Sequence, residues 1–553
     1  MKLVKSLFVG LVFLLFCCNS VFAQGIIPEE GVYWEFPEII YDGTTDITMS
    51  DGEVLDCVII YPKVRSLQSL PVIVFPNSWT MPKQEYVTQA IAFAKKGYLT
   101  VSFTIRGWYK SGGLIDVMGT RSLEDFDDIY DYLNNRNFTN VRADLSKKVT
   151  MIGISQGAIY SLLVAGKYPE KINSVVALSC AVDLNFALLG GGALHTYTMG
   201  TLIGGAHKDG EVDPYIDDVI IPSITSKTNM DVVNEYFRIR SPLTYLNVYN
   251  DYKIPILIGN NYDDKFFYAD QALKFFKQLN YPGNIINFTC GTHAVPEAIA
   301  FVGDLLNLSK NRWDLVQNWV DNHVKNKNFY LGSKFQFDDE SGIRTYSFAN
   351  YPDSRISNKK FYLTNKLNED LFGIFKYNLT TSSSSSKNGS INVSDGDSGF
   401  DTELNSINET IITLTSFNQL IDLTSLKSGK YALFYSKMNS KTRFIGTPSV
   451  ELTIIPRTSS IQMVAYFITV GPAYKGGYLQ TYAPFAMDNC VIGKPIKVKF
   501  DINLINGYIG VKDRFGLLIT TRNSEFGIVT PNSFDILYGP SYPSTFTVPI
   551  YAE

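Results

Sequence analysis

Residues 151–158 read Met151-Ile152-Gly153-Ile154-Ser155-Gln156-Gly157-Ala158, an apolar run that enters Gly-x-Ser-x-Gly and continues into apolar residues at helical spacing as far as Lys167. A serine between two glycines, where a strand gives way to a helix, marks a turn so sharp that only small residues fit beside it. The serine hydroxyl is then left exposed at the helix N-terminus. The pentapeptide alone is common by chance. A strand before it and a helix after it turn the reading from a structural bend to a nucleophile.

Outward from this stretch, short β-branched runs alternate with longer helical ones. Strands are predicted at Pro71–Phe75, Leu99–Phe103, Lys148–Ile152, Ser174–Leu178, Ile254–Ile258 and Asn284–Phe288, with helices at Gln84–Lys96, Ser122–Asn134, Gln156–Lys167 and Ala269–Leu279. Strand and helix in turn mean a mostly parallel, doubly wound sheet covered on both faces, here of the α/β-hydrolase kind. Residues 184–250 break the rhythm with Gly190-Gly191-Gly192 and mixed sequence, and are expected to form a cap inserted over the active face that controls specificity. After a helical stretch at Arg312–Lys325 the chain turns to runs rich in Val, Ile, Tyr and Phe, such as Ser449–Ile455, Gln462–Val470, Ile496–Leu504, Phe515–Thr520 and Thr545–Tyr551, which read as an all-β sandwich. The expected division is a signal peptide at 1–23, a catalytic domain at 24–328 and a β-sandwich at 329–553 with a polar surface loop at 380–408.

The 553 residues allow more than one core, and the 34 Tyr and 36 Phe suit a β-rich part. A formal net charge of −4 without any basic cluster argues against nucleic acid as a partner. Lys2 and Lys5, the apolar run Leu7–Phe16 and Val21-Phe22-Ala23 before Gln24 read as a secretory signal, the run being shorter than the roughly 20 residues that span a bilayer. The mature chain is therefore expected to be secreted or lumenal, the lysosome included, with no membrane span. It keeps Cys57, Cys180, Cys290 and Cys490, which can form disulfides in three pairings or stay as buried thiols. Asn-x-Ser/Thr acceptors stand at Asn137, Asn287, Asn307, Asn378, Asn388, Asn392 and Asn408.

A serine hydroxyl needs a base to take its proton. Of the four histidines, His293 in Cys290-Gly291-Thr292-His293 follows a predicted strand and comes last in the order Ser, Asp, His that this fold uses. His323 reads as a surface residue on an amphipathic helix. His195 and His207 belong to the cap, as substrate contacts or solvated side chains. The acid is sought after the strand Ile254–Ile258, where Asp263 and Asp264 stand together. The oxyanion needs two N–H donors, and Gln156 with Trp79 of the early loop Pro76-Asn77-Ser78-Trp79-Thr80 are the candidates, the indole being an alternative pocket wall. No Cys/His/Asp cluster has ligand spacing, so neither metal nor cofactor is implied.

Asn77-Ser78-Trp79, Arg106-Gly107-Trp108-Tyr109-Lys110-Ser111-Gly112-Gly113, the elbow itself, Asp264-Lys265-Phe266-Phe267-Tyr268 and Gly291-Thr292-His293 occur in that order. The series resembles the cocaine-esterase / X-prolyl dipeptidyl-peptidase family. The tail, with Phe444-Ile445-Gly446-Thr447-Pro448 leading into a strand, resembles the C-terminal jelly-roll domain of that family. The resemblance implies Asp264 rather than Asp263 as the acid, because relatives show an aspartate, three residues, then a proline and a helix opening with a Gln-Ala-like pair, here Gln271-Ala272. It implies a small ester or an X-prolyl peptide as substrate. The chain departs from the pattern in carrying Trp79 where several relatives place a tyrosine donor, and Tyr268 in place of the proline. No acidic pair for a free peptide amino terminus is apparent. The rival expectations are a hydrolase-like protein that binds ligand without turnover, and a β domain that binds carbohydrate.

Overall fold

The computed structural model describes residues 32–298, 312–339, 342, 344–365, 377–382, 387–400, 420–471 and 476–553. The expected signal peptide, the acceptor sites Asn307 and Asn408, and parts of the polar loop lie outside these residues.

Among the described residues there are two large sheets, and the first has twelve strands. Across its centre lie, in spatial order, Val54–Pro62, Leu99–Phe103, Val72–Pro76, Val149–Ile154, Ile172–Leu178, Ile256–Asn261, Ile285–Thr289, Phe335–Asp338 and Thr345–Phe348. Every neighbouring pair from Leu99–Phe103 to Phe335–Asp338 is parallel, and antiparallel strands close the two sides. Strands buried on both faces are apolar at nearly every position, and Val72–Pro76 and Val149–Ile154 are buried throughout, the one hydroxyl of the second, Thr150, being hydrogen-bonded to Ser174 at 3.0 Å.

Alternate residues of these strands serve two separate cores. Val72, Val74, Met151, Val175 and Ile256 pack with the helices Thr120–Asn135, Gln156–Lys167 and Ala269–Phe276, through side chains such as Phe126, Leu162 and Phe276. Ile73, Phe75, Ile152, Val176 and Leu257 face the helices Val87–Lys95 and Arg312–Val324, where Phe93, Trp313 and Trp319 are buried. The period of two along each strand thus becomes a layer on either side.

Between Leu178 and Ile256 the cap is helical, with Leu184–Leu189, Thr196–Asp209, Ile221–Ser226, Met230–Arg238 and Leu246–Asp251. The first sheet continues past residue 328 through its last two strands, so the division expected at 328/329 falls ahead of them.

The second sheet has fourteen strands, and most of its pairs are antiparallel. Its longest buried strand, Ile461–Val470, has no exposed face. Met463, Ala465 and Phe467 enter one core, in which Phe467 meets Phe444, Phe515 and Phe546 edge-on at 5.1, 6.2 and 5.4 Å. Val464, Tyr466 and Ile468 enter another that includes Ala193 of the cap. The glycine run explains how cap and sheet meet. Gly191 and Gly192 have φ of +67° and +75°, and a Cβ on either would lie 2.4 Å from a carbonyl oxygen, that of Pro484 or of Ala486. Only a backbone without side chains lies this close to the neighbouring strand.

Among the described residues Cys57, Cys180, Cys290 and Cys490 are joined by no disulfide, and the first two are buried. Asn287 and Asn378 are buried in strands and closed to modification, whereas Asn137, Asn388 and Asn392 are exposed.

Candidate active site

Ser155 sits between the strand Val149–Ile154 and the helix Gln156–Lys167 with φ 53° and ψ −121°. Residues with a Cβ avoid this region, at a cost of about 1–3 kcal/mol. Its N–H donates to the Leu178 carbonyl at 2.9 Å, while its own carbonyl accepts from Ala158 and Ile159 at 3.0 and 3.1 Å, so one residue ends the sheet and starts the helix. A Cβ on Gly153 would fall 2.1 Å from the carbonyl carbon of Gly157, and a Cβ on Gly157 would fall 2.2 Å from the Pro76 carbonyl oxygen. The two glycines of the motif are steric requirements.

His293, on the loop after Ile285–Thr289, brings Nε2 to 2.8 Å from Ser155 Oγ and Nδ1 to 2.8 Å from Asp264 Oδ2. With a carboxylate as its acceptor, Nδ1 carries the proton and Nε2 presents its lone pair to the serine hydroxyl. The other Asp264 oxygen accepts the N–H groups of Phe266 and Phe267 at 2.9 and 2.8 Å, which fixes the carboxylate. Phe266 and Phe267 pack on the imidazole at 4.9 and 5.0 Å between centroids. Asp263 is held differently: its N–H donates to the Gly291 carbonyl at 3.1 Å, it lines a small cavity together with Asp264, Tyr482 and Asn503, and burial pushes its pKa to about 6.

Gln156 and Trp79 both reach Ser155 through the wall of one cavity. The Trp79 indole N–H donates to the Leu202 carbonyl at 2.9 Å and the ring stands edge-on to Trp108 at 4.7 Å, so cap and early loop are joined through it. The side chain is therefore a wall of the site.

Behind the elbow lies a network that no sequence signal marks. Ser78 N–H donates to Glu85 Oε2 at 2.7 Å, and Ser78 Oγ stands 2.6 Å from Glu85 Oε1 and 2.9 Å from the carbonyl of Ile154, the residue before the nucleophile. Ile154 N–H donates to the Tyr86 hydroxyl at 2.8 Å. A serine hydroxyl has one proton, so it cannot donate to an ionised carboxylate and to a carbonyl at once. The network closes when Glu85 is protonated and donates to Ser78, whose proton then goes to Ile154. Burial favours the same form and pushes the Glu85 carboxyl up to about 7.

Two further buried groups hold the loops. Arg312 pairs with Glu297 and donates to the Asn260 carbonyl and Asn261 Oδ1 at 3.1 and 3.2 Å, while the Asn261 amide donates to Ser179 Oγ and the Thr292 carbonyl at 2.9 and 3.1 Å. Lys265, next to Asp264, pairs at 2.6 Å with Glu525 of the second sheet, both being less than a tenth exposed, and Tyr482 donates to the same carboxylate. The Glu525 carbonyl accepts from Tyr197 N–H at 3.1 Å, and Gly527 N–H donates to Leu194 at 2.8 Å. One loop of the second sheet therefore grips the acid loop and the cap together.

Of the remaining histidines, His195 and His323 differ from their sequence readings. His195 is 2% exposed, edge-on to Phe526 and Tyr268, and burial lowers its pKa to about 4. It is neither solvated nor part of the cavity wall, and plugs the seam between cap and second sheet. His207 stands at the cavity mouth, 3.2 Å from Asp217. His323 is half-buried on Trp319 at 4.2 Å, which also lowers its pKa.

Residues 51–214 match the family described as X-Pro dipeptidyl-peptidase (S15 family), and residues 206–314 the family described as PhoPQ-activated pathogenicity-related protein. No curated protein matches the chain. Among solved structures, the CocE/NonD family hydrolase from Staphylococcus aureus is similar at 12% identity and TM-score 0.68, over 93% of this chain and 94% of that one. An α-amino acid ester hydrolase is similar at 14% identity and TM-score 0.70, over 95% and 99%. An aminopeptidase from the marine sediment archaeon Thaumarchaeota archaeon is similar at 14% and TM-score 0.68, also over 95% and 99%. At these identities the likeness is one of fold, and it extends over both sheets. The family match and the motif resemblance agree on a serine hydrolase, a peptidase or an esterase.

Two outcomes follow from the buried charges. The Glu85 value of about 7 lies above its ordinary 4.5, so between those pH values the folded chain holds a proton that the unfolded chain has lost, and stability falls as pH rises through the window. Glu85→Gln should flatten that dependence in thermal melts at about pH 5 and pH 8, and an unchanged slope would remove Glu85 as its source. Glu525→Met should cost about 3–5 kcal/mol in denaturant unfolding because it removes the carboxylate paired with the buried Lys265 ammonium, and adding Lys265→Met should restore most of the loss.

Proposed function

We propose that this chain is a secreted serine hydrolase that transfers the acyl group of an ester or amide to water. The supporting observation is the unbroken sequence of contacts Asp264–His293–Ser155, at 2.8 Å in each step. Ser155 attacks the carbonyl carbon as His293 takes its proton. Asp264 holds the imidazole in the tautomer that leaves Nε2 free and stabilises the imidazolium that forms. The backbone N–H groups of Gln156 and Trp79 receive the oxyanion. His293 then passes the proton to the leaving group, and a water activated by the same imidazole releases the acid from Ser155. In this reading the first sheet and its cap carry the chemistry, and a jelly-roll region follows from about residue 350. The signal-like start of the sequence supports delivery to the secretory pathway.

Ser155→Ala removes one hydroxyl, so it should abolish turnover and fluorophosphonate labelling with the fold kept. Labelling retained at another serine would reject Ser155 as the nucleophile. Asp264→Asn should lower kcat by about 10⁴-fold through the wrong imidazole tautomer, while Asp263→Asn costs little. Side-by-side assays on an activated ester check this, and loss confined to the Asp263 variant would reverse the assignment.

A further inference from the structure

The structure carries a statement about the substrate that rests on the serine-hydrolase reading above. We infer that the bond cleaved is a carboxylic ester whose acyl group is an uncharged aliphatic chain, held in the cavity between the elbow helix and the cap.

The cavity measures about 100 Å³ and begins at Ser155 and Gln156. Beyond them its walls are largely hydrocarbon: Ile159 of the elbow helix, and Leu188, Leu202, Ile203, Ile220 and Ile224 of the cap. Ile159, Ile220 and Ile224 are each no more than 3% exposed, so these are fixed core side chains. A dry pocket of this lining gains from each methylene it takes out of water.

Charge decides against the alternative. An X-prolyl peptide carries an ammonium close to its scissile bond, and burying that charge without a carboxylate is costly. Among the described residues the one carboxylate in the lining is Asp217, which lies at the mouth, 39% exposed, and faces His207 at 3.2 Å. No other lining residue is anionic, and apart from His207 and Tyr236, whose hydroxyl donates to the Asp116 carbonyl at 3.3 Å, the remaining cap residues of the lining are apolar.

Which half of the ester enters follows from the path of the proton. The Ser155 Oγ–carbon bond forms as the proton passes to His293 Nε2. The bond from the carbonyl carbon to the alcohol oxygen then breaks, and that oxygen takes the proton back from Nε2, so the alcohol leaves from the histidine side of the serine. Among the described residues lining the cavity are Ser155, Gln156 and Ile159 but not His293. The cavity therefore receives the part that stays on the serine, and water later frees it as a carboxylate.

The test uses the purified full chain with p-nitrophenyl esters from acetate to dodecanoate, methyl and hexyl esters of one acid, and Ala-Pro p-nitroanilide. kcat/KM should rise about fourfold per added acyl methylene until the cavity is full and then fall. It should respond little to the length of the alcohol, and the anilide should be cleaved at least about 100-fold less well than the best ester, as an unpaired buried ammonium requires. Ile224→Trp should move the optimum to shorter acyl chains. Fluorophosphonate labelling of Ser155 separates the two readings. Labelling with a flat acyl series, with a rise that follows the alcohol, or with the anilide preferred overturns the acyl-chain proposal alone. No labelling and no turnover of any probe overturns the hydrolase reading beneath it.

Discussion

A backbone that must pass from strand to helix through a left-handed residue sets the terms for the centre of this molecule. The turn at Ser155 has room only if Gly153 and Gly157 lack side chains and if the Pro76 carbonyl comes to rest against Gly157. That last contact ties the early loop to the elbow, and Ser78, two residues on, adds the hydrogen bond to Ile154. The strain, on the order of 1–3 kcal/mol, is carried by a helix and a sheet that are buried from both sides. Loosening either would let the turn relax to an ordinary conformation and lower the serine into the sheet.

Parallel topology does the rest of the placing. Because the strands Val149–Ile154, Ile256–Asn261 and Ile285–Thr289 all run the same way, the residues that follow them emerge on one edge, where open α/β sheets hold their ligands. Ser155, Asp264 and His293 are the continuations of those three strands. The cap bridges the same edge, so its apolar underside becomes a wall of the site.

Much of this was legible because it is local. The elbow is a packing rule written in five residues, and the strand Leu99–Phe103 and the helix Gln156–Lys167 have the bounds their periodicity predicts. Other strands extend beyond their apolar runs: Ile256–Asn261 continues through Gly259, Asn260 and Asn261 because its ladder with Ile285–Thr289 holds after the side-chain pattern has stopped. The choice of Asp264 over Asp263 needed the register of relatives, since neighbouring aspartates look alike until the backbone aims them. Glu85, Arg312, Lys265 and Glu525 were illegible. A charged residue reads as solvated until its partner is known, and the partner of Lys265 stands 260 positions away. His195 was misread for the same reason, its neighbour Phe526 being equally remote in sequence.

The separation between Lys265 and Glu525 also bears on how the chain comes into being. Synthesis proceeds from the N-terminus, and domains fold as they emerge. The first sheet and its cap are complete long before residue 525 exists, and throughout that interval the ion pair between Lys265 and Glu525 cannot form. Contacts of such long range are the last to form. The salt link that clamps the residue beside Asp264 to the second sheet is thus made only when nearly the whole polypeptide has been synthesised.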